Sequence, residues 1–142
     1  MIDDLTAQLR RDEDERATVY QDSLGFWTIG IGRLVDGRKH GAGLRPDEMA
    51  YMLRNDINDR VLSLTHALPW FNTLDAARQG ALLNMAFQMG TQGLLQFTTT
   101  LARIARGDYE GASRSMLDSK WATQTPERAK RLAAQMKDGT WH

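Results

Sequence analysis

The chain has 142 residues, near the common size of one domain and long enough to bury a self-supporting core. It is 42% hydrophobic and 25% charged with three prolines, the profile of an ordered protein and not of a disordered or low-complexity one. It has no cysteine, which removes disulfides, thiolate catalysis and cysteine-ligated metal, and eighteen basic residues balance eighteen acidic ones, so the basic excess of a nucleic-acid binder is missing.

No run reaches the roughly 18 apolar residues of a membrane helix, and Met1-Ile2-Asp3-Asp4 does not open a secretory signal. The expectation is therefore no membrane insertion and accumulation in the cytoplasm. Charge is unevenly placed. Asp12-Glu13-Asp14-Glu15 is acidic, whereas Arg128, Lys130 and Arg131 form a basic group; both read as solvated faces, and the second also suits an anionic polymer.

Residues 2–13 are predicted as a helix because Ile2, Leu5 and Leu9 share a face, which puts Glu13 at its end. From Val19 to Leu34 the chain is rich in aromatics, Thr, Ile and Gly, predicting twisted antiparallel strands broken by a Ser23-Leu24-Gly25 turn. Gly30 and Gly32 alternate with Ile29 and Ile31 and leave one strand face bare. That suits close approach of a ligand or another backbone, or equally a bulge or tight bend. The polar turn residues from Asp36 to Gly43 close the small sheet, so 14–45 forms a small β lobe.

Pro46 fits the first turn of a helix, with Asp47 and Glu48 near its positive end. Met49, Leu53, Ile57, Val61 and Leu64 continue it as a connecting helix over 46–64. Residues 65–142 read as a helical lobe against which helix 2–13 packs. Ala77, Ala81, Leu82, Met85 and Ala86 predict a helix from Asp75 to Met89 packed on several sides. A turn at Gly90 to Gly93 and further short helices follow. Thr125-Pro126-Glu127 combines a capping hydroxyl, a first-turn Pro and an early acid, so a last helix runs to about Lys137. Trp141 then folds back as an anchor. The whole, 1–142, is expected to be one α+β domain.

Residue types alone leave the chemistry open. Glu13 stands in an acidic run of the kind that faces water, and Asp22 before Ser23 and Gly25 reads as a turn residue whose carboxylate accepts backbone N–H groups. The same two carboxylates could flank a glycosidic bond, whose hydrolysis needs one acid for the leaving oxygen and one anion to hold charge or activate water. His40, His66 and His142 are scattered and suggest no metal, and no phosphate-binding Gly-x-x-x-x-Gly-Lys occurs. No cofactor is expected.

What goes beyond residue types is an ordered set: Glu13, Asp22 nine residues on, Thr28 six further, within Tyr20-x-Asp22-x-x-Gly25-x-x-Thr28-Ile29-Gly30-x-Gly32. Asp75-Ala76-Ala77-Arg78, Ala81-Leu82-Leu83-Asn84-Met85-Ala86-Phe87-Gln88-Met89-Gly90, Phe97-Thr98-x-x-Leu101, Ser119-Lys120-Trp121-x-x-Gln124-Thr125-Pro126-x-Arg128-Ala129-Lys130-Arg131 and Gly139-Thr140-Trp141 extend it. Over most of its length the chain resembles the phage-type (T4-like) lysozymes and endolysins, glycoside hydrolase family 24.

The resemblance implies a lysozyme-like fold: a small antiparallel β lobe and a larger all-helical lobe joined by a long helix, with a substrate cleft between. It implies a muramidase that hydrolyses the β-1,4 bond between N-acetylmuramic acid and N-acetylglucosamine in bacterial peptidoglycan. Glu13 would be the general acid, a role that needs a useful protonated fraction near neutrality. Asp14 and Glu15 would add negative charge there only by turning toward it, which periodicity disfavours for immediate neighbours. Asp22 would stabilise oxocarbenium-like charge and Thr28 would hold the attacking water, giving inversion. Leu34, Phe87, Gln88, Thr100 and Ser115 match substrate-binding or cleft positions.

A monomer is expected, held in the host cytoplasm until a holin opens the way to the wall. Departures from the family pattern are Arg33 in place of His, for which Asp56 is the matched partner; Leu24 facing the Lys120 position without a salt bridge; and a short 35–45 segment. The rival classes are a lytic transglycosylase acting on the same bond and a non-catalytic wall-binding protein. Thr28 with Asp22 favours water addition, and retention of Glu13 argues against a retired site.

Overall fold

Ile2, Leu5 and Leu9 share a face of α1, Ile2–Asp12, but none of its residues is buried; Asp3 and Asp4 lie in its first turn and Arg10 and Arg11 in its last. Each pair has the sign that the helix dipole favours. Glu13 is the C-cap, and its N–H donates to the Leu9 carbonyl. The structure, a computed structural model, describes residues 1–13 and 15–142. Asp14, weighed above as a neighbouring negative charge, lies outside the described residues.

Three antiparallel strands follow in the order β1-β2-β3: β1 Arg16–Gln21, β2 Trp27–Gly30 and β3 Arg33–Leu34. Tyr20 pairs with Thr28 and Gln21 with Trp27, then Thr28 with Leu34 and Ile29 with Arg33. Thr28 is thus the centre of the ladder. Gly30 and Gly32 both have φ of 67°, a left-handed conformation that glycine adopts without the cost a side chain brings. Of the two readings of this Gly pair, the tight bend is realised, and one glycine also admits a close approach, described below.

The long helix α2 is Pro46–Ala67, three residues longer than expected, with Pro46 at its start and Asp47 and Glu48 in the first turn. The Arg45 N–H donates to Glu48 Oε2 at 2.8 Å and so closes its N-terminus. A 3₁₀ turn, Phe71–Thr73, leads to α3, Ala76–Leu95, whose N-cap Asp75 accepts the Arg78 N–H. The glycine turn expected at 90–93 is narrower than that: only Gly90, at φ 77° and ψ 162°, leaves helical geometry. Then come α4 Thr98–Ala105, α5 Tyr109–Leu117, α6 Lys120–Gln124 and α7 Pro126–Asp138.

Two compact units result, Met1–Met52 and Leu53–His142. The first carries the sheet. The second encloses a core of Leu64, Phe71, Leu82, Met85, Leu94, Ile104, Met116 and Met136, all buried; each such side chain contributes about 1.5–3 kcal/mol when removed from water. Trp121 packs edge-on to Phe97 with ring centroids 6.1 Å apart. Thr125 does not cap α7 with its side chain; its hydroxyl instead donates back to the Trp121 carbonyl. The Trp141 ring lies on Gly80, where there is no room for a Cβ, although much of the indole stays exposed.

Candidate active site

In the first unit the candidates Glu13, Asp22 and Thr28 lie on or next to the elements of the small sheet. Glu13 leaves the end of α1 and lies against Gly32, between β2 and β3: a Cβ built there would stand 2.8 Å from Glu13 Oε2 and 3.3 Å from its Cβ and Cδ. The Tyr20 hydroxyl on β1 donates to the Glu13 carbonyl at 3.4 Å. Tyr20 is also the cross-strand partner of Thr28 and lies two residues before Asp22.

Asp22 terminates β1 in the manner its sequence context predicts. Its Oδ1 accepts the N–H groups of Leu24 at 2.9 Å and Phe26 at 2.8 Å, while its own N–H donates to the Phe26 carbonyl. Among the described residues no donor is bonded to Oδ2. Thr28 is buried, and its hydroxyl donates to that same Phe26 carbonyl at 3.1 Å. With its proton engaged, the Thr28 oxygen keeps only acceptor capacity. Asp22 and Thr28 are therefore anchored on one residue, Phe26. Leu34 is the partner of Thr28 across β2 and β3.

Phe26 is itself held. Asp36, buried just after β3, accepts the Trp27 N–H on Oδ2 and both the N–H and Nε of Arg38 on Oδ1. Hydrogen bonds from the Arg38 guanidinium, then from the two backbone N–H groups, hold the Asp36 carboxyl far below the usual carboxylate range. Nearby, Arg33 makes a two-pronged ion pair with Glu48 at 2.6 and 2.8 Å. This replaces the expected pairing with Asp56. The Arg45 N–H, then Arg33, hold the Glu48 carboxyl below its ordinary value.

A sequence model of the family described as Phage lysozyme matches residues 10–137, a span that takes in Glu13, Asp22 and Thr28. The chain belongs to the phage lysozyme family. It is similar to the "Pre-baseplate central spike protein Gp5" of Enterobacteria phage T4, 33% identical over 90% of this chain and 26% of that protein. It is also similar to "Probable T4-type lysozyme 1" of Dictyostelium discoideum, 28% identical over 99% of this chain and 97% of the relative, and to "Peptidoglycan hydrolase gp36" of Pseudomonas phage phiKMV, 31% identical over 91% of this chain and 14% of that protein. The chain thus spans about a quarter of the spike protein and a seventh of the phiKMV hydrolase, but nearly all of the Dictyostelium relative.

In this lysozyme-family chain the four remaining candidates lie in the second unit and divide into two places. Thr100 and Ser115 line a cavity of about 480 Å³ together with Phe97, Lys120 and Trp121. Gln88 does not line this cavity but is tied to one residue that does: the Trp121 indole N–H donates to Gln88 Oε1 at 3.0 Å, which fixes the side-chain amide. Phe87 instead lines a separate apolar hollow with Leu53, Ile57, Leu83 and Trp141.

The sequence reading missed Asp36 and Arg38, which lay hidden in a polar turn. An acid two residues before a base after a strand was the available signal. It also missed the Tyr20 tie to Glu13, for which no local pattern exists. Among the described residues no cluster of three or more His, Cys, Asp or Glu could hold a metal ion.

Proposed function

We propose that the chain is a muramidase that cleaves the β-1,4 bond between N-acetylmuramic acid and N-acetylglucosamine by adding water with inversion. The observation that carries this is the anchoring of Asp22 and Thr28 on the same Phe26 backbone, with Glu13 brought to the sheet at Gly32. An attacking water must give up both protons' hydrogen bonds to acceptors so that a lone pair faces the anomeric carbon. Asp22 Oδ2 and the Thr28 oxygen are two such acceptors. Glu13 supplies the proton to the departing oxygen, and the ionised Asp22 balances the oxocarbenium-like charge and takes the proton that the adding water releases.

Leu34, the cross-strand partner of Thr28, and Gln88, Thr100, Ser115 and Phe87 are substrate-binding residues in this reading, on the strength of their match to the family pattern. The protein works as a monomer and reaches the wall after a holin opens the membrane.

Digestion of purified peptidoglycan in oxygen-18 water tests the reading. Labelled reducing ends support hydrolysis, whereas unlabelled anhydro products identify a transglycosylase. Proton NMR of the first product, read before mutarotation, should give the α anomer, as expected when roughly 6.5 to 9.5 Å between carboxyl groups leaves room for water. A Glu13→Gln variant should fold and lose nearly all cleavage, since the amide keeps the size and donates no proton to the leaving group. Near-normal turnover in that folded variant sinks the assignment.

A further inference from the structure

We propose that Asp36 and Arg38 form a positioning clasp that sets the spacing of Asp22 and Thr28; the proposal rests on the muramidase reading for its catalytic half. The clasp grips each of the three residues that precede Thr28. Arg38 Nη2 donates to the Gly25 carbonyl at 3.1 Å. The Arg38 guanidinium and Lys39 Nζ lie over the Phe26 ring, 5.2 and 4.1 Å from its centroid. The Trp27 N–H donates to Asp36 Oδ2 at 3.1 Å, and the Trp27 carbonyl accepts the Val35 N–H at 2.9 Å.

These grips act at the node of the site. Phe26 gives its N–H to the Asp22 carboxylate and its carbonyl to both the Asp22 N–H and the Thr28 hydroxyl. The Gly25 N–H donates to the Asp22 carbonyl. A short exposed turn would fluctuate if only its own hydrogen bonds held it. A buried carboxylate saturated with donors is a stiff anchor, because any motion that breaks a bond leaves a charge unsatisfied in a site shut off from water. Asp36 is 3% exposed. Its only side-chain partner among the described residues is Arg38, so the charge needed to bury it is supplied two residues away and directed onto the turn.

The Arg38→Ala and Asp36→Asn variants test the clasp, assayed on soluble muropeptide well below each variant's melting temperature. Misplacement of a reacting group by a fraction of an ångström lowers the chemical step far more than binding, so kcat should fall about 10- to 100-fold. KM should stay within about threefold, because the lost interaction is felt in the transition state and not in ground-state binding. Amide hydrogen exchange supplies a second readout. The Leu24 and Phe26 N–H groups should exchange about tenfold faster in Arg38→Ala while core amides such as Leu82 are unchanged.

Turnover close to that of the parent in both variants, with only a lower melting temperature, would overturn the positioning role and leave a purely structural tie. Unchanged protection at Leu24 and Phe26 would overturn it equally. If the parent chain cleaves no wall at all, the muramidase reading fails by itself, and the exchange measurement still decides whether the clasp holds the Asp22 turn.

Discussion

Gly32→Ala is the sharpest perturbation of the Glu13 assignment. Two costs arise there and can be separated. Gly32 has φ of 67°, and a left-handed conformation costs a residue with a Cβ about 1–2 kcal/mol. That should lower the melting temperature by about 3–8 °C. The second cost is local: the new Cβ would stand 2.8 Å from Glu13 Oε2, so the carboxylate must retreat by roughly half an ångström, and a shift on that scale lowers turnover about 10- to 100-fold. Gly30 is the matched control, because its φ is also 67° and a Cβ there meets nothing within 4 Å. Gly30→Ala should lose similar stability and keep its kcat. Thermal melts and initial rates on purified peptidoglycan, measured side by side, give both quantities. Equal kcat in the two variants would refute a working role for the Glu13 carboxylate at this place.

Three further outcomes follow from the geometry. Arg78 donates to the Met136 and Lys137 carbonyls at 2.8 Å, pairs with Asp75 and stacks 3.7 Å over Tyr109; Arg78→Ala should cost about 3 kcal/mol in urea unfolding, and a loss below about 1 kcal/mol would contradict this account. The carboxyls of Asp36 and Glu48 are held below their ordinary range, so the stability they contribute is fully present above the unfolded-state pKa of about 4 and is lost as pH falls from there toward the folded values. Melting temperature should therefore drop on acidification, and Glu48→Gln should flatten that limb; an unchanged acid limb would reject the linkage. Extensive dialysis against EDTA should leave wall cleavage intact, and loss restored by one particular divalent ion would overturn a mechanism built on Glu13, Asp22 and Thr28 alone.

Helices were legible wherever apolar spacing and a terminal signal agreed, as in α1, in α2 behind Pro46 and in α7 behind Pro126. Asp22 was legible as a turn acceptor because Asx turns are made by neighbours in sequence. Pairings set by how a strand meets a helix were not. Arg33 chooses Glu48 over Asp56 because the loop after β3 returns beside the first turn of α2, where the Gly43 carbonyl also accepts from Arg33. Thr125 illustrates the same limit: its hydroxyl has two acceptable uses, a cap or a donor to the previous turn, and the φ of −135° and ψ of 64° at that residue leave the second. The Trp121 bond to Gln88 joins residues 33 apart, a contact that no local periodicity encodes.

The closure of the second unit by α7 bears on how the protein is made. Ala129, Leu132, Ala133 and Met136 of that helix belong to the core, Gln135 donates to the Ala77 carbonyl, and Arg78 reaches carbonyls 58 and 59 residues further along. During synthesis the apolar faces of α3 and α5 therefore emerge without their cover, while the first unit has already been completed on the ribosome. Nascent chains arrested before residue 126 should present an unfolded second half to chaperones and proteases, and release of α7 should trigger its collapse in a single late step.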